Sequence, residues 1–275
     1  MKQLFASALL AVLIGCTVPP EDALQYKYDD GFWVEAIDTI LDVNDNPFNH
    51  DNTIYVPGKE YIYDYQFFTK DGQERKISQQ GYSLRPLDSL TTMTIMKFSV
   101  EADTDRFLGG KDPEYAQTEL KYRYYLINDS INPPVESSGV IENEKNVWMH
   151  PWRRARLFYY LQLNPYPFIQ APYEIGNTFE WSFLVGGQWG DKEWASWEGN
   201  VELTHQYEIV AKEKVSTSFA GDLECVVVEG VGTSELGRTT LTSYFNETYG
   251  FVRFDYLNID SSRFIINLIE VKEKP

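Results

Sequence analysis

The sequence predicts an all-β protein with few short helices, its strands joined as an antiparallel meander. Three observations carry this. Short runs rich in β-branched and aromatic residues recur along the chain, glycine and Asx clusters separate them, and aromatic residues alternate at period two within several runs. The C-terminal third shows the pattern most clearly. Val226 to Val228, Thr239 to Phe245, Phe251 to Leu257 and Phe264 to Val271 read as strands. Gly230 and Gly232, Asn246 to Gly250, and Asn258 to Ser262 punctuate them. Upstream, Tyr61 to Thr69, Thr91 to Val100, Glu119 to Ile127 and Phe179 to Val185 have the same character, and Trp197 to Lys214 is one long strand or a bent pair. Two helices are expected. One covers Phe32 to Leu41, where Phe32, Ala36, Ile37 and Ile40 fall near one face, and the other covers Arg153 to Leu163.

One internal echo organises the chain. "YVPGKEYIYDYQFF" from Tyr55 and "YEIGNTFEWSFLVG" from Tyr173 each place Tyr, then Gly, then three alternating aromatics. In the first copy these are Gly58 with Tyr61, Tyr63 and Tyr65; in the second, Gly176 with Phe179, Trp181 and Phe183. Period-two aromatics line one face of a strand, and a glycine before the strand accepts a positive φ. Two β-halves of related design follow, residues 31–164 and 165–275, divided where Pro165, Pro167 and Pro172 interrupt pairing.

The first residues address the chain. Lys2 precedes an apolar stretch from Leu4 to Ile14, the length of a signal-peptide core and too short to span a bilayer. Leu13-Ile14-Gly15-Cys16 then resembles a bacterial lipobox. That resemblance implies removal of residues 1–15 and a diacylglycerol on Cys16, a membrane anchor followed by a tether over residues 16–30 that Pro19-Pro20 stiffens. Glu21 and Asp22 resemble an export signal of some surface lipoproteins. The expected location is the cell envelope, on the outer membrane, with the leaflet left open.

Composition narrows the partners. The net charge of −17 becomes −18 once Lys2 is removed, and such a surface repels nucleic acid. Hydrophobic residues make up 43% of the chain, enough for a substantial core. Cys225 is the one cysteine left after Cys16, so the folded part has no internal disulfide. Its setting, "LECVVV", reads as a buried strand rather than a nucleophile.

Three stretches bear on chemistry. "NVWMHPWRRARLFYY" places His150, Arg153, Arg154 and Arg156 as a cationic island in an acidic chain, able to meet a phosphate, a carboxylate or a lipid headgroup, or to pair with nearby acids. "GGQWGDKEWASWEG" carries Trp189, Trp194 and Trp197, which with Tyr207 either stack on a sugar or partner or pack inward with their N–H groups on carbonyls. "DVNDNPFNHDN" holds Asp42, Asp45, His50 and Asp51 without the glycine and terminal glutamate of a calcium loop, and reads as a solvated Asx loop. Neither a zinc motif nor a Gly-x-Ser-x-Gly elbow is present. No cofactor and no metal are expected.

The stretch "GDLECVVVEGVGTSELGRTTLTSYFNETYGFVRFDYLNID", with Gly221, Phe245-Asn246 and Tyr249-Gly250-Phe251-Val252, resembles a group of uncharacterised bacterial cell-envelope lipoproteins. "ENEKNVWMHPWRR" is similar to that group too, with Trp152 where a second proline is expected. The group looks related to the open β-barrel of the LolA and LolB lipoprotein carriers. What the resemblance implies is a sheet curled into an open half-barrel around an apolar interior. The expected function is therefore a non-catalytic, lipid-anchored protein that binds a hydrophobic ligand or envelope component in the curved sheet. The alternatives are an adaptor that contacts a protein or glycan with a filled core, and a hydrolase centred near His150. Tyr61, Tyr63, Phe179, Trp181 and Trp189 are the candidate apolar lining; His150, Arg153 and Arg154 are the candidate polar contacts.

Overall fold

The computed structural model describes residues 25–37, 46–80, 83–106, 117–152 and 159–273. The signal sequence, Cys16, Asp42, Asp45, Arg153, Arg154 and Arg156 lie outside the described residues.

The chain opens with a hairpin of β1 (Tyr26–Asp29) and β2 (Phe32–Glu35). The remaining strands are β3 (Lys59–Phe68), β4 (Glu74–Ser78), β5 (Ser83–Pro86), β6 (Ile95–Arg106), β7 (Thr118–Leu126), β8 (Ile131–Glu142), β9 (Asn146–Met149) and β10 (Phe168–Gln170). They continue with β11 (Thr178–Gly186), β12 (Asn200–Thr217), β13 (Gly221–Ser234), β14 (Gly237–Asn246), β15 (Gly250–Leu257) and β16 (Arg263–Glu273). All but the first two join one antiparallel sheet, whose main path of twelve strands runs β10-β9-β8-β7-β6-β3-β16-β15-β14-β13-β12-β11. The β4–β5 hairpin hangs off β3.

The sheet curls into a nearly closed barrel. Its two end strands, β10 and β11, are consecutive in sequence, and Asn177 between them donates from Nδ2 to the Gln170 carbonyl at 2.9 Å and the Pro172 carbonyl at 3.0 Å. The seam left between the ends is partly covered by β2. Phe32 seats its ring 5.1 Å from Trp148, 5.3 Å from Phe168 and 5.3 Å from Trp181. The Trp33 N–H donates to Asn146 Oδ1 at 2.7 Å, and Asn143 and Asn146 return amide hydrogen bonds to the Trp33 carbonyl.

This corrects the helix expected over Phe32 to Leu41: the part described begins as a strand. The reason lies just before it. Asp30 and Gly31 both have positive φ, 50° and 97°, in a two-residue turn that pairs Asp29 with Phe32. Asp-Gly is the signature of a type I′ hairpin, and that turn chemistry overrides the helical spacing of the apolar residues downstream. In the second expected helix, residues 159–161 are helical, while 153–158 lie outside the described residues. Asn200–Thr217 is one continuous strand with a register shift between Ile209 and Ala211 that bends it.

Among the described residues, side chains fill the barrel interior beside Trp152. Trp152 stacks on Phe98 at 4.2 Å and on Phe264 at 5.3 Å, with Tyr65 tilted against it at 4.9 Å. Leu161, Leu163 and Tyr166 are buried alongside. Pro151, Pro165 and Pro167 keep this segment from joining the ladder. Side chains therefore satisfy its backbone carbonyls, as buried polar groups require. Thr239 Oγ1 donates to the Leu163 carbonyl at 2.8 Å and the Tyr207 hydroxyl donates to the Tyr166 carbonyl at 3.0 Å. Asn164 reaches out to the Leu257 carbonyl. On β13, a Cβ at Gly230 would lie 2.9 Å from Pro165 Cβ, so glycine there is the space this plug occupies. Between the plug and Tyr63, Phe98, Tyr256 and Ile266 a cavity of about 20 Å³ remains, the size of a single water.

Candidate functional site: an aromatic cleft at the barrel seam

Where the sheet fails to close, a cleft of about 530 Å³ opens. Among the described residues, one wall is β11 with Trp181 and Phe183, the other is the end of β9 with Trp148 and His150, and the plug supplies Gln162 and Tyr166 as the floor. The rings form a continuous set. Trp181 stacks on Phe183 at 4.5 Å and 14°, and Tyr166 lies 5.0 Å from Trp181 and 5.3 Å from Phe183. Across the seam Trp148 meets Trp181 edge-on at 5.5 Å. Trp181 and Phe183 share the inward face because they are two apart on a strand, and β11 ends the main path of the sheet, so one of its edges pairs with no further strand among the described residues.

Polar atoms interrupt the aromatic lining. Trp148 and Gln162 are both more than nine-tenths buried, and Trp148 Nε1 and Gln162 Oε1 have no hydrogen-bond partner among the described residues. Gln117 Oε1, packed over Gly139, is a third such atom on the cleft wall. Asp30 stands at the rim. Beneath Trp181 lies its cross-strand partner His205, fully buried among Trp181, Phe183 and Tyr166, with neither ring nitrogen hydrogen-bonded. Burial drives its pKa down to about 3, so the imidazole is neutral at physiological pH.

The cleft gathers two of the sequence-predicted residues, His150 and Trp181, from strands that the sequence alone does not connect. The His150 ring lies 4.8 Å from Trp148 and 5.5 Å from Tyr166, and its backbone N–H donates to the Gly139 carbonyl. The others sit elsewhere. Tyr61 and Tyr63 are core residues of β3: the Tyr61 hydroxyl donates to the Ile54 carbonyl, the Tyr63 hydroxyl donates to the Phe251 carbonyl, and the Tyr63 ring stacks on Phe98. Phe179 stacks on Tyr207 at 5.2 Å, deeper along β11. Trp189 meets Tyr159 edge-on in the turn after β11. Trp197 donates its indole N–H to the Val185 carbonyl, and the Tyr207 hydroxyl faces the plug, so those two aromatics pack inward. Cys225 is buried, and burial pushes its thiol up to about 11, far from a reactive thiolate.

Sequence reasoning missed Trp148, Gln162 and Phe32 as members of this cleft. Trp148 carried a signal, since it stands on β9 two residues before His150. Gln162 and Phe32 carried none, because each reaches the cleft only through the fold.

A second hollow of about 640 Å³ is acidic, lined by Tyr26, Asp51, Glu142, Glu144 and Glu247. Glu142 uses its carboxylate structurally, accepting the backbone N–H groups of Thr53, Ile54 and Tyr55 at 2.7 Å each. Behind it, burial and the neighbouring Asp51 push Glu35 up to about 7, and burial also raises Asp51, which accepts the Tyr26 hydroxyl at 2.9 Å. Among the described residues no group of three or more His, Cys, Asp and Glu side chains is placed to hold a metal ion.

No protein-family model and no curated protein matches the chain. Among solved structures, it is similar to a candidate lipoprotein from Parabacteroides distasonis, with 13% identity, 80% of this chain and 97% of that one covered, and a TM-score of 0.43. It is also similar to a candidate exported protein with a YmcC-like fold from Bacteroides fragilis, with 12% identity, 80% and 98% coverage, and a TM-score of 0.38.

Proposed function

We propose that the protein is a non-catalytic envelope protein, anchored through lipidated Cys16, whose rigid barrel presents the seam cleft to an envelope component. The observation that carries this reading is the contrast between a filled interior and an open, aromatic-lined seam. A carrier that shelters an acyl chain inside its barrel needs a continuous apolar cavity of several hundred Å³. Here the space beside Trp152 amounts to about 20 Å³. A ligand-sized hollow with aromatic walls and a few convergent polar groups lies instead at the seam, where it needs no unfolding of the core to be reached.

Two experiments test this. Labelled palmitate should enter the protein in a lipid-modifying bacterial host and be lost in Cys16→Ser; labelling that survives the substitution removes the anchor from the account. For the cleft, a benzophenone photocrosslinker placed at Leu184 on the cleft wall is compared with one at Leu87 on the β4–β5 side of the barrel, both positions being exposed. A crosslinked adduct from Leu184 and none from Leu87 is expected in intact cells. No adduct at Leu184, or equal adducts at both, overturns the reading.

A further inference from the structure

We infer that the seam cleft takes a neutral saccharide. The inference rests on the cleft being the binding site and adds the chemistry of what fills it. Three features select this class together.

The walls are aromatic: Trp181, Trp148 and Tyr166 are buried against one another, and the half-buried Phe183, stacked on Trp181, is the ring among them that presents a face to the cleft. Such a face is the negative side of the ring quadrupole and attracts polarised C–H groups. A pyranose presents a patch of these on its flat side.

The polar atoms in the cleft are the second feature. Trp148 Nε1 is a donor, while Gln162 Oε1 and Gln117 Oε1 are acceptors, and all three are without a partner among the described residues. A buried polar group left in that state is destabilising. An acyl chain in the cleft would leave all three unpaired. A sugar ring stacked on the aromatics carries hydroxyl groups around its edge, and a hydroxyl both donates and accepts, so it can pair with an indole N–H and with either carboxamide oxygen.

The third feature is what the site disfavours. An anionic ligand meets Asp30 at the rim and a chain with net charge −17. An extended peptide added to the edge of β11 meets the β1–β2 turn. A Cβ at Gly31 would lie 3.0 Å from Trp181 Cδ1 and 3.3 Å from the Glu180 carbonyl oxygen, so the hairpin backbone already occupies that part of the edge. A neutral polyhydroxylated ring is the class left with both its apolar and polar demands met, and a cleft of about 530 Å³ is within the usual range for small ligands.

The test is a microarray of neutral oligosaccharides (N-acetylglucosamine oligomers, mannan, starch and cellulose fragments) probed with the protein starting at Thr17. The best binder is then titrated by tryptophan fluorescence. Saturable binding is expected. Trp148→Phe, which keeps the ring and removes the donor, should weaken it about tenfold, and Gln162→Leu by a similar factor, with unchanged melting curves showing that each variant is folded. Phe183→Ser at the half-buried outer ring is the alternative should Trp148→Phe fail to fold. Tyr63→Phe in the core should leave affinity unchanged. No binding to any neutral glycan overturns the saccharide; if the Leu184 crosslink persists, the cleft survives as a binding site for another class. Glycan binding that none of the cleft variants weakens places the sugar elsewhere and overturns the inference as well.

Discussion

Strands β3 and β11 begin from the same pattern of Tyr, Gly and alternating aromatics and end in different surroundings. Each follows a glycine at positive φ, Gly58 at 88° and Gly176 at 91°, and each then points three aromatics to the barrel interior. On β3, Tyr61, Tyr63 and Tyr65 are no more than 1% exposed, and the strand pairs with β16 on one side and β6 on the other. On β11, Phe179 and Trp181 retain 9% and 8% exposure, Phe183 is half-buried, and one side of the strand has no ladder. The pattern determines which face the rings take. The strand's place in the sheet determines whether that face becomes core or wall of a cleft. Alternating aromatics between two paired strands are sealed into the core; on the end strand β11 the outermost, Phe183, stays half-buried.

The largest expected effect therefore belongs to β3. Tyr63→Ala should destabilise the protein by about 3–5 kcal/mol, read from urea denaturation, because it removes a buried ring stacked on Phe98. Tyr63→Phe isolates the hydrogen bond to Phe251 and should cost about 1 kcal/mol. Phe183→Ala on β11 should cost only about 1–2 kcal/mol, as a half-buried ring does. Equal losses at the two strands would break the comparison.

His205, behind the β11 wall, sharpens it through pH. Its folded pKa of about 3 lies below the ordinary 6.5 because the buried imidazole resists charging. The unfolded chain thus takes up a proton first as the solution is acidified. Stability is full above pH 6.5 and should fall by about 1.4 kcal/mol per unit between 6.5 and 3. His205→Leu should flatten that limb of the stability profile measured by urea titration at a series of pH values. A slope unchanged in the variant assigns it to other groups.

Glu35 gives the opposite sign and a smaller effect. Its folded pKa of about 7 lies above the ordinary 4.5, with burial the main cause. The contribution is full below 4.5 and is lost as pH rises through 7. Glu35→Gln keeps an acceptor for Asn143, whose amide donates to Glu35 Oε1, and offers an amide to Asp51. It should raise stability by about 1–3 kcal/mol above pH 7, seen as a higher urea midpoint at pH 8 and little change at pH 5.

Much of the fold is legible in the sequence because strand period and turn chemistry are local. The four C-terminal strands, the glycines before β3 and β11, and the burial of Cys225 all follow from residues close in the chain. The Asp30-Gly31 turn was equally local, yet the helical spacing of Phe32, Ala36 and Ile37 hid it. The site was legible only in part. His150 and Trp181 stood out as residue types, but nothing in their spacing brings them to one cleft. Their proximity comes from a sheet that curls until its first and last path strands, β10 and β11, nearly meet. A filled core stood as the alternative to a ligand cavity, but which residue fills it was out of reach, since Trp152 enters the core on a proline-bounded segment with no strand or helix period to announce it.

Amide hydrogen exchange on β3 and β11, with and without an envelope extract from cells that make the protein, tests the central claim most directly. The account predicts slow exchange along β3 in both conditions, and slowing on adding extract confined to the cleft lining, residues 148–150 and 181–184 with 162 and 166 on its floor. Slowing on β3 or on residues 159–167 inside the barrel, with none on β11, would place the ligand in the interior and contradict the account.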